Sequence, residues 1–190
     1  MKKIELEQDT PEWHEFRRSH LGASEAACVM ELCPYKKPHD LWGEKVGFVK
    51  PFYMNGAMQR GKDLEEEARK KFCKQMEVEF VPAVFSCTIE PYTFMSASLD
   101  GISSDNEILE IKCNGKKWHA MVENGEVPPH HIAQLQHQLF VCEAEKAYYF
   151  SYDGKEGITL EVQRDEKYIK NLLYSEKIFW DKVEGYDFNF

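Results

Sequence analysis

No stretch of this chain approaches the ~18 consecutive apolar residues that a membrane-spanning helix needs. The lysines at positions 2 and 3 are followed by Ile4-Glu5-Leu6-Glu7 rather than by the apolar run of a secretory signal. The expectation is a cytoplasmic protein without membrane association. Paired cysteines are lacking too. Cys28, Cys33, Cys73, Cys87, Cys113 and Cys142 are scattered and form no Cys-x-x-Cys, which argues against a disulfide framework and against a zinc site. They read as small buried thiols of a reducing compartment. Nor is there an excess of positive charge: 33 acidic against 24 basic residues leave a net charge of −9. A protein that coats nucleic acid without specificity is normally basic, because phosphate neutralisation drives that binding. The acidity still allows a local basic channel and carboxylates concentrated at a metal centre.

What is present is an ordinary globular composition, 43% hydrophobic and 30% charged over 190 residues, without repeats, low-complexity tracts or linkers. One domain spanning 1–190 is expected, with a helical segment over about 1–56 and a core over about 57–190. Asp9-Thr10-Pro11-Glu12 opens a helix over 11–19. Leu21-Gly22-Ala23 breaks it, and Ser24 caps a second, short helix. Further helices are predicted over 39–46, 57–75, 118–123, 130–143 and 165–183 from apolar residues recurring at the 3.6 period. Alternating apolar segments over 80–87, 92–98, 107–113, 147–152 and 158–162 predict strands. Helices preceding and interrupting a set of strands predict an α/β sandwich, a mixed central sheet flanked by helices.

Chemistry concentrates in Ile108-Leu109-Glu110-Ile111-Lys112. In a strand Leu109, Ile111 and Cys113 share one face, and Glu110 and Lys112 the other. Taken alone, that pair reads as an ion pair on a solvated edge. Ten residues earlier Ser98-Leu99-Asp100-Gly101 ends a strand on an aspartate, with a glycine that permits a sharp turn. The loop of Ser103-Ser104-Asp105-Asn106 makes the two strands neighbours, so Asp100 and Glu110 fall side by side with Lys112. Adjacent carboxylates repel unless a cation lies between them. A hard, oxygen-liganded ion such as Mg²⁺ or Mn²⁺ suits them and leaves positions for phosphate oxygens. His130-His131 lack further ligands at metal-site spacing and read as surface or DNA-facing. Trp42, Trp118, Trp180 and the aromatics of 186–190 read as core or subunit contacts.

This Asp, nine residues, Glu-x-Lys arrangement resembles the core of the PD-(D/E)xK nucleases. The chain is similar to the lambda-exonuclease, or YqaJ-type viral recombinase, branch of that superfamily. The likeness is carried in order by Trp13 to Arg17, Gly22-Ala23-Ser24, Gly61 to Ala68, Ser98 to Gly101, Leu109 to Cys113 and Ile132-Ala133-Gln134-Leu135-Gln136. It departs at Leu99, where the family often has proline before the aspartate. The resemblance implies a restriction-endonuclease-like fold with Asp100, Glu110, the Ile111 carbonyl and Glu65 as metal ligands. Lys112 would be the catalytic lysine, Gln134 would position it and the attacking water, and Arg17 and Ser24 would grip a terminal 5′-phosphate. Glu66 and Glu67 are read as solvated helix charges, and Gln136 and Gln138 as solvent-facing amides.

Such a protein would be a phage-type alkaline exonuclease, dependent on Mg²⁺ (Mn²⁺ as alternative), with two ions. It would degrade linear double-stranded DNA 5′→3′, release 5′-mononucleotides and leave 3′ overhangs for recombination. The resemblance further implies a homotrimeric ring and a single-strand annealing protein as partner. A site- or structure-specific endonuclease with the same core remains open, as does a non-catalytic DNA-binding module.

Overall fold

A computed structural model of the chain describes residues 1–49, 56–113 and 116–186. The greater part of the predicted connection over 47–55 and the terminal aromatics Phe188 and Phe190 lie outside these. The chain begins with a short strand β1 (Lys2–Ile4), then α1 (Pro11–Arg18), capped by the Thr10 side chain and carrying Pro11 in its first turn. β2 (Leu21–Gly22), a 3₁₀ turn (Ala23–Glu25), α2 (Ala26–Val29) and α3 (Pro38–Lys45) follow. The long helix α4 (Gly56–Met76) leads into β3 (Val81–Ser86), β4 (Met95–Ile102) and β5 (Ile108–Lys112). Then come α5 (Lys116–Glu123), α6 (Pro129–Val141), β6 (Lys146–Tyr152), β7 (Gly157–Gln163) and α7 (Glu166–Glu184).

Seven strands form one mixed, mostly antiparallel sheet in the order β1-β3-β4-β5-β6-β7, with β2 attached to β4. Every predicted helix and strand is present within a few residues. β1 and β2 are additions: three and two residues long, they are too short to show a period. Leu21-Gly22 was expected to break a helix; it is a strand running parallel to Met95–Ser96. The alternation in β5 sorts as expected. Leu109 and Ile111 pack with Ala68 and Phe72 of α4 and with Tyr148 and Phe150 of β6. Ile108 joins Leu135, Leu139 and Tyr149 on the other face, together with Phe179 and Trp180 of α7. α4 thus covers one face of the sheet, and α6 with α7 the other.

Two expectations about local geometry are corrected. Gly101 does not turn the chain: it lies inside β4, opposite Leu109. Its lack of a side chain is needed for space, since a Cβ there would stand 2.8 Å from Cβ of Phe80 and 3.3 Å from Cβ of Leu109. Ser24 does not cap a helix either. It sits within the 3₁₀ turn, and the cap position belongs to Gly22, whose N–H donates to the Glu25 carboxylate at 2.8 Å.

Candidate active site

One edge of β4 is only partly used. β3 occupies one side of it, while on the other side β2 pairs with Met95–Ser96 and β5 with Gly101–Ile102. Between these two short ladders the strands part. Asp100 stands at the parting, and its carboxylate accepts from the Ile111 N–H at 2.7 Å in place of a backbone partner. A strand residue's N–H and C=O point to the same side, so the Ile111 carbonyl faces the opening as well.

Glu110, next along β5, is 2% exposed. Its Oε1 accepts from Lys112 Nζ and from Gln134 Nε2, the latter at 2.7 Å, and its Oε2 accepts from Gln138 Nε2 at 2.6 Å. Gln134 and Gln138 are one helical turn apart on α6, so a single helix face holds both oxygens of one carboxylate. This corrects the reading of Gln138 as a solvent-facing amide, because it is fully buried and its Oε1 has no hydrogen-bond partner. The signal was its spacing of four from Gln134. Gln136 is buried as well, but it faces away from the site, donating to the Gln163 carbonyl and accepting from the Asp165 N–H.

Glu65 approaches from α4, half-buried, with Arg69 Nη1 3.6 Å from its carboxylate. The same guanidinium donates to the Asp100 carbonyl at 3.3 Å. Arg69, which no sequence pattern marked, therefore ties α4 to the parted strands. Glu66 is exposed and pairs with Lys70, as its solvated reading anticipates.

The electrostatics are those of a site short of positive charge. Burial, then Glu110 and Glu65, raise the Asp100 carboxyl well above its usual range. Glu65 is raised too, by burial first, with Arg69 opposing and Glu110 adding to it. Burial pulls the Lys112 ammonium down, but Glu110 and Asp100 outweigh it and hold it charged. Lys112 accordingly stands as a positive charge beside the Glu110 carboxylate.

Among the described residues no three His, Cys, Asp or Glu side chains stand ready as a metal cage; the Glu110 carboxylate is held by an ammonium and two amides instead. The donor chemistry nevertheless fits a hard divalent cation. The Asp100 carboxylate and the Ile111 carbonyl lie at the opening with the Glu110 carboxylate close by, and Mg²⁺ is normally bound by one or two carboxylates with waters and phosphate oxygens completing its shell. The mutual repulsion of Asp100, Glu110 and Glu65 is what such an ion would relieve.

A second cluster forms where α1 meets the 3₁₀ turn. Arg17 stacks on Trp13, its Cζ 4.7 Å from the ring, and donates to Ser24 Oγ at 2.8 Å. Glu25 lies 3.8 Å from Arg17 and 2.7 Å from the nearly buried Lys45. Against the effect of burial, Lys45 and Arg17 keep the Glu25 carboxyl below its usual range. Trp13 is fixed in turn by a bond from its Nε1 to Ser98 Oγ at 2.9 Å, two residues before Asp100. The paired Arg17 and Ser24 are thus joined through Trp13 to the strand that carries Asp100. His131, by contrast, is not free at the surface: burial lowers it to about 2, and its Nδ1 lies 2.7 Å from the Tyr149 hydroxyl.

Residues 12–145 match the family described as the YqaJ-like viral recombinase domain. The chain is 30% identical over 202 residues to the uncharacterized protein YqaJ of Bacillus subtilis (strain 168), covering 97% of this chain and 59% of that protein. It is 28% identical over 164 residues to the uncharacterized protein R354 of Acanthamoeba polyphaga mimivirus, covering 77% of this chain and 29% of that one. It therefore spans under two thirds of the length of either. Among solved structures, the fold is similar to an alkaline exonuclease, LHK-Exo, from Laribacter hongkongensis, with a TM-score of 0.80, 24% identity and 93% of each chain covered. The structure of LHK-Exo in complex with dAMP gives a TM-score of 0.79, again at 24% identity and with 93% of each chain covered. A phage-related exonuclease from Haemophilus somnus 129PT gives a TM-score of 0.64 at 14% identity, covering 87% of this chain and 94% of that one.

Proposed function

The chain belongs to the YqaJ-like viral recombinase domain family, and from that premise we propose that it is a Mg²⁺-dependent exonuclease that degrades linear double-stranded DNA 5′→3′. The observation that carries this reading is the buried Glu110 carboxylate beside Asp100, gripped on both oxygens by Lys112, Gln134 and Gln138. A carboxylate immobilised to this degree on an opening in the sheet is an expensive arrangement for stability alone, since burying charge costs free energy. The relatives' names support the same reading: LHK-Exo is an alkaline exonuclease, and its complex holds a deoxynucleotide.

Asp100, Glu110 and the Ile111 carbonyl would hold the cation, with Glu65 completing the site or touching a second ion. The chemistry a divalent ion supplies in such a setting is neutralisation of phosphate charge and activation of a water. The rest falls to side chains. Gln134 and Gln138 keep Glu110 from rotating away. Lys112 donates to the scissile phosphate as charge builds on it. Water adds to phosphorus, the bond to the 3′-oxygen breaks, and that oxygen leaves protonated on the released 5′-mononucleotide. The shortened strand then carries a new 5′-phosphate, which Arg17 and Ser24 can grip through a planar guanidinium and a hydroxyl. Each round would leave a longer 3′ overhang for a single-strand annealing partner.

The test is digestion of 5′-phosphorylated linear duplex beside 5′-hydroxyl duplex and supercoiled plasmid, with Mg²⁺ and with chelator. Mg²⁺-dependent mononucleotide release from the phosphorylated linear duplex alone is the expected result. Nicking of the plasmid would make the protein an endonuclease, and binding without any cleavage would make it a non-catalytic module.

A further inference from the structure

A strip of rings leads outward from the carboxylate centre. Tyr149 is the register partner of Glu110, and its hydroxyl lies 2.7 Å from His131 Nδ1. His131 packs on His130 at 4.1 Å between ring centroids, and His130 meets Trp118 of α5 edge-on at 4.7 Å. Trp118 Nε1 finally donates to the hydroxyl of Tyr35 at 3.2 Å. Tyr35 is 78% exposed, yet its hydroxyl is tied by that hydrogen bond, and Pro34 and Pro38 stiffen the backbone of its short loop. The hydrogen bond is itself at the surface, and it gives an exposed ring a preferred orientation before any partner arrives. Cations flank it: Lys37 is exposed two residues on, and the Lys117 ammonium lies 4.4 Å over the Trp118 ring.

We infer that Tyr35, held by Trp118, is a stacking platform for an unpaired nucleobase at the DNA end being processed, with Lys37 and Lys117 beside the neighbouring phosphates. A pre-fixed ring facing solvent with cations next to it is how single strands are held without reading sequence, since every base has a π-face. The strip ends at the centre where the scissile phosphate would lie, so the same strand can reach both. A terminal base parked on Tyr35 is taken out of the duplex, which frees the backbone to enter the opening beside Asp100. This inference rests on the nuclease reading above.

The experiment measures turnover by the full chain, with Mg²⁺, on a 5′-phosphorylated duplex with a short unpaired end. The comparison substrate carries abasic nucleotides at that end. The wild-type protein should show KM about tenfold lower for the base-bearing end, in line with what stacking loses on alanine substitution, with kcat little changed. Tyr35→Ala should raise KM for that end by the same factor and leave the abasic substrate unaffected, so that the two become equal. Tyr35→Phe keeps the ring and should retain most of the difference. A Tyr35→Ala protein that still prefers the base-bearing end overturns the platform, as does a wild-type protein with no preference. A loss of equal size on both substrates also overturns it, and would point to a protein contact or a purely structural role. No nucleotide release by the wild-type protein from either substrate would instead defeat the nuclease reading itself.

Discussion

Glu110 has more direct partners than any other acid in the site, and the two kinds of partner do different work. Lys112 brings charge. Its ammonium is held protonated by Glu110 and Asp100 against burial, so removing it takes away the positive group that the proposed function assigns to the scissile phosphate. Lys112→Ala should lower nucleotide release by about 10²-fold or more, the usual cost of losing one donor to a developing oxyanion. DNA binding, followed by fluorescence anisotropy in chelator, should persist; full retained activity would contradict the assignment. The glutamines bring orientation. In Gln138→Met the Glu110 Oε2 loses its donor, while the unpartnered Gln138 Oε1 disappears at the same time. The two changes offset each other in stability, so the thermal midpoint should move little. The affinity for Mn²⁺, measured by calorimetry, should fall by ~10- to 100-fold, as when other supports of metal ligands are removed.

At the scale of elements, the site depends on how β3, β4, β5, α6 and α7 are locked together. Gly101 lets β5 and the residue leading into β3 close on β4 beside Asp100. Gly101→Ala puts a methyl 2.8 Å from Cβ of Phe80, an atom next to the backbone that cannot swing aside. Overpacking of this kind costs about 1–3 kcal/mol, which should appear as a lower thermal midpoint together with reduced turnover. Beneath α6 lies a second lock. His137 and Glu176 are both fully buried, 2.8 Å apart from Nδ1 to Oε1, and His137 Nε2 is 3.0 Å from the Ser96 carbonyl. That carbonyl can only accept, so Nε2 is the donor in that bond. This joins α6, α7 and β4 at one point. Glu176→Ala leaves the buried Nδ1 of His137 without its partner, and breaking a buried pair costs about 3–5 kcal/mol. The thermal midpoint should drop by about 6–20 °C at 2–4 °C per kcal/mol for a chain of this size. A drop within 2 °C would show the pair to be dispensable.

For the whole molecule the proposed function raises the question of how a chain of net charge −9 would handle a polyanion. The basic residues the account places at the site and along the proposed path, Arg17, Arg69, Lys112, Lys37 and Lys117, are few and local. A closed ring of three copies would surround duplex with such local charge and keep the acidic exterior turned away. Light scattering of the purified chain should then give a mass three times 22.3 kDa, and one initiated duplex should be digested far before others begin. A monomer that dissociates after each nucleotide would remove the ring from the account.

The sequence by itself determined the elements and their chemistry. The 3.6 and 2.0 periods are local properties, so α4, α6, α7 and β3 to β7 could be read from them. The Asp100, Glu110, Lys112 set could be read as well, because two strands joined by a short loop must lie side by side. Only the tertiary structure decided what depends on contacts between distant segments. β1 and β2 exist through pairing with β3 and β4, not through any pattern of their own. Gly101 matters because Phe80 and Leu109 close on it. Gln138 belongs to the site because α6 lies across β5 with that face inward, and Arg69 because α4 reaches the place where β4 and β5 separate. Periodicity fixes which side of a helix is apolar; packing alone fixes which polar group on that side meets a buried carboxylate.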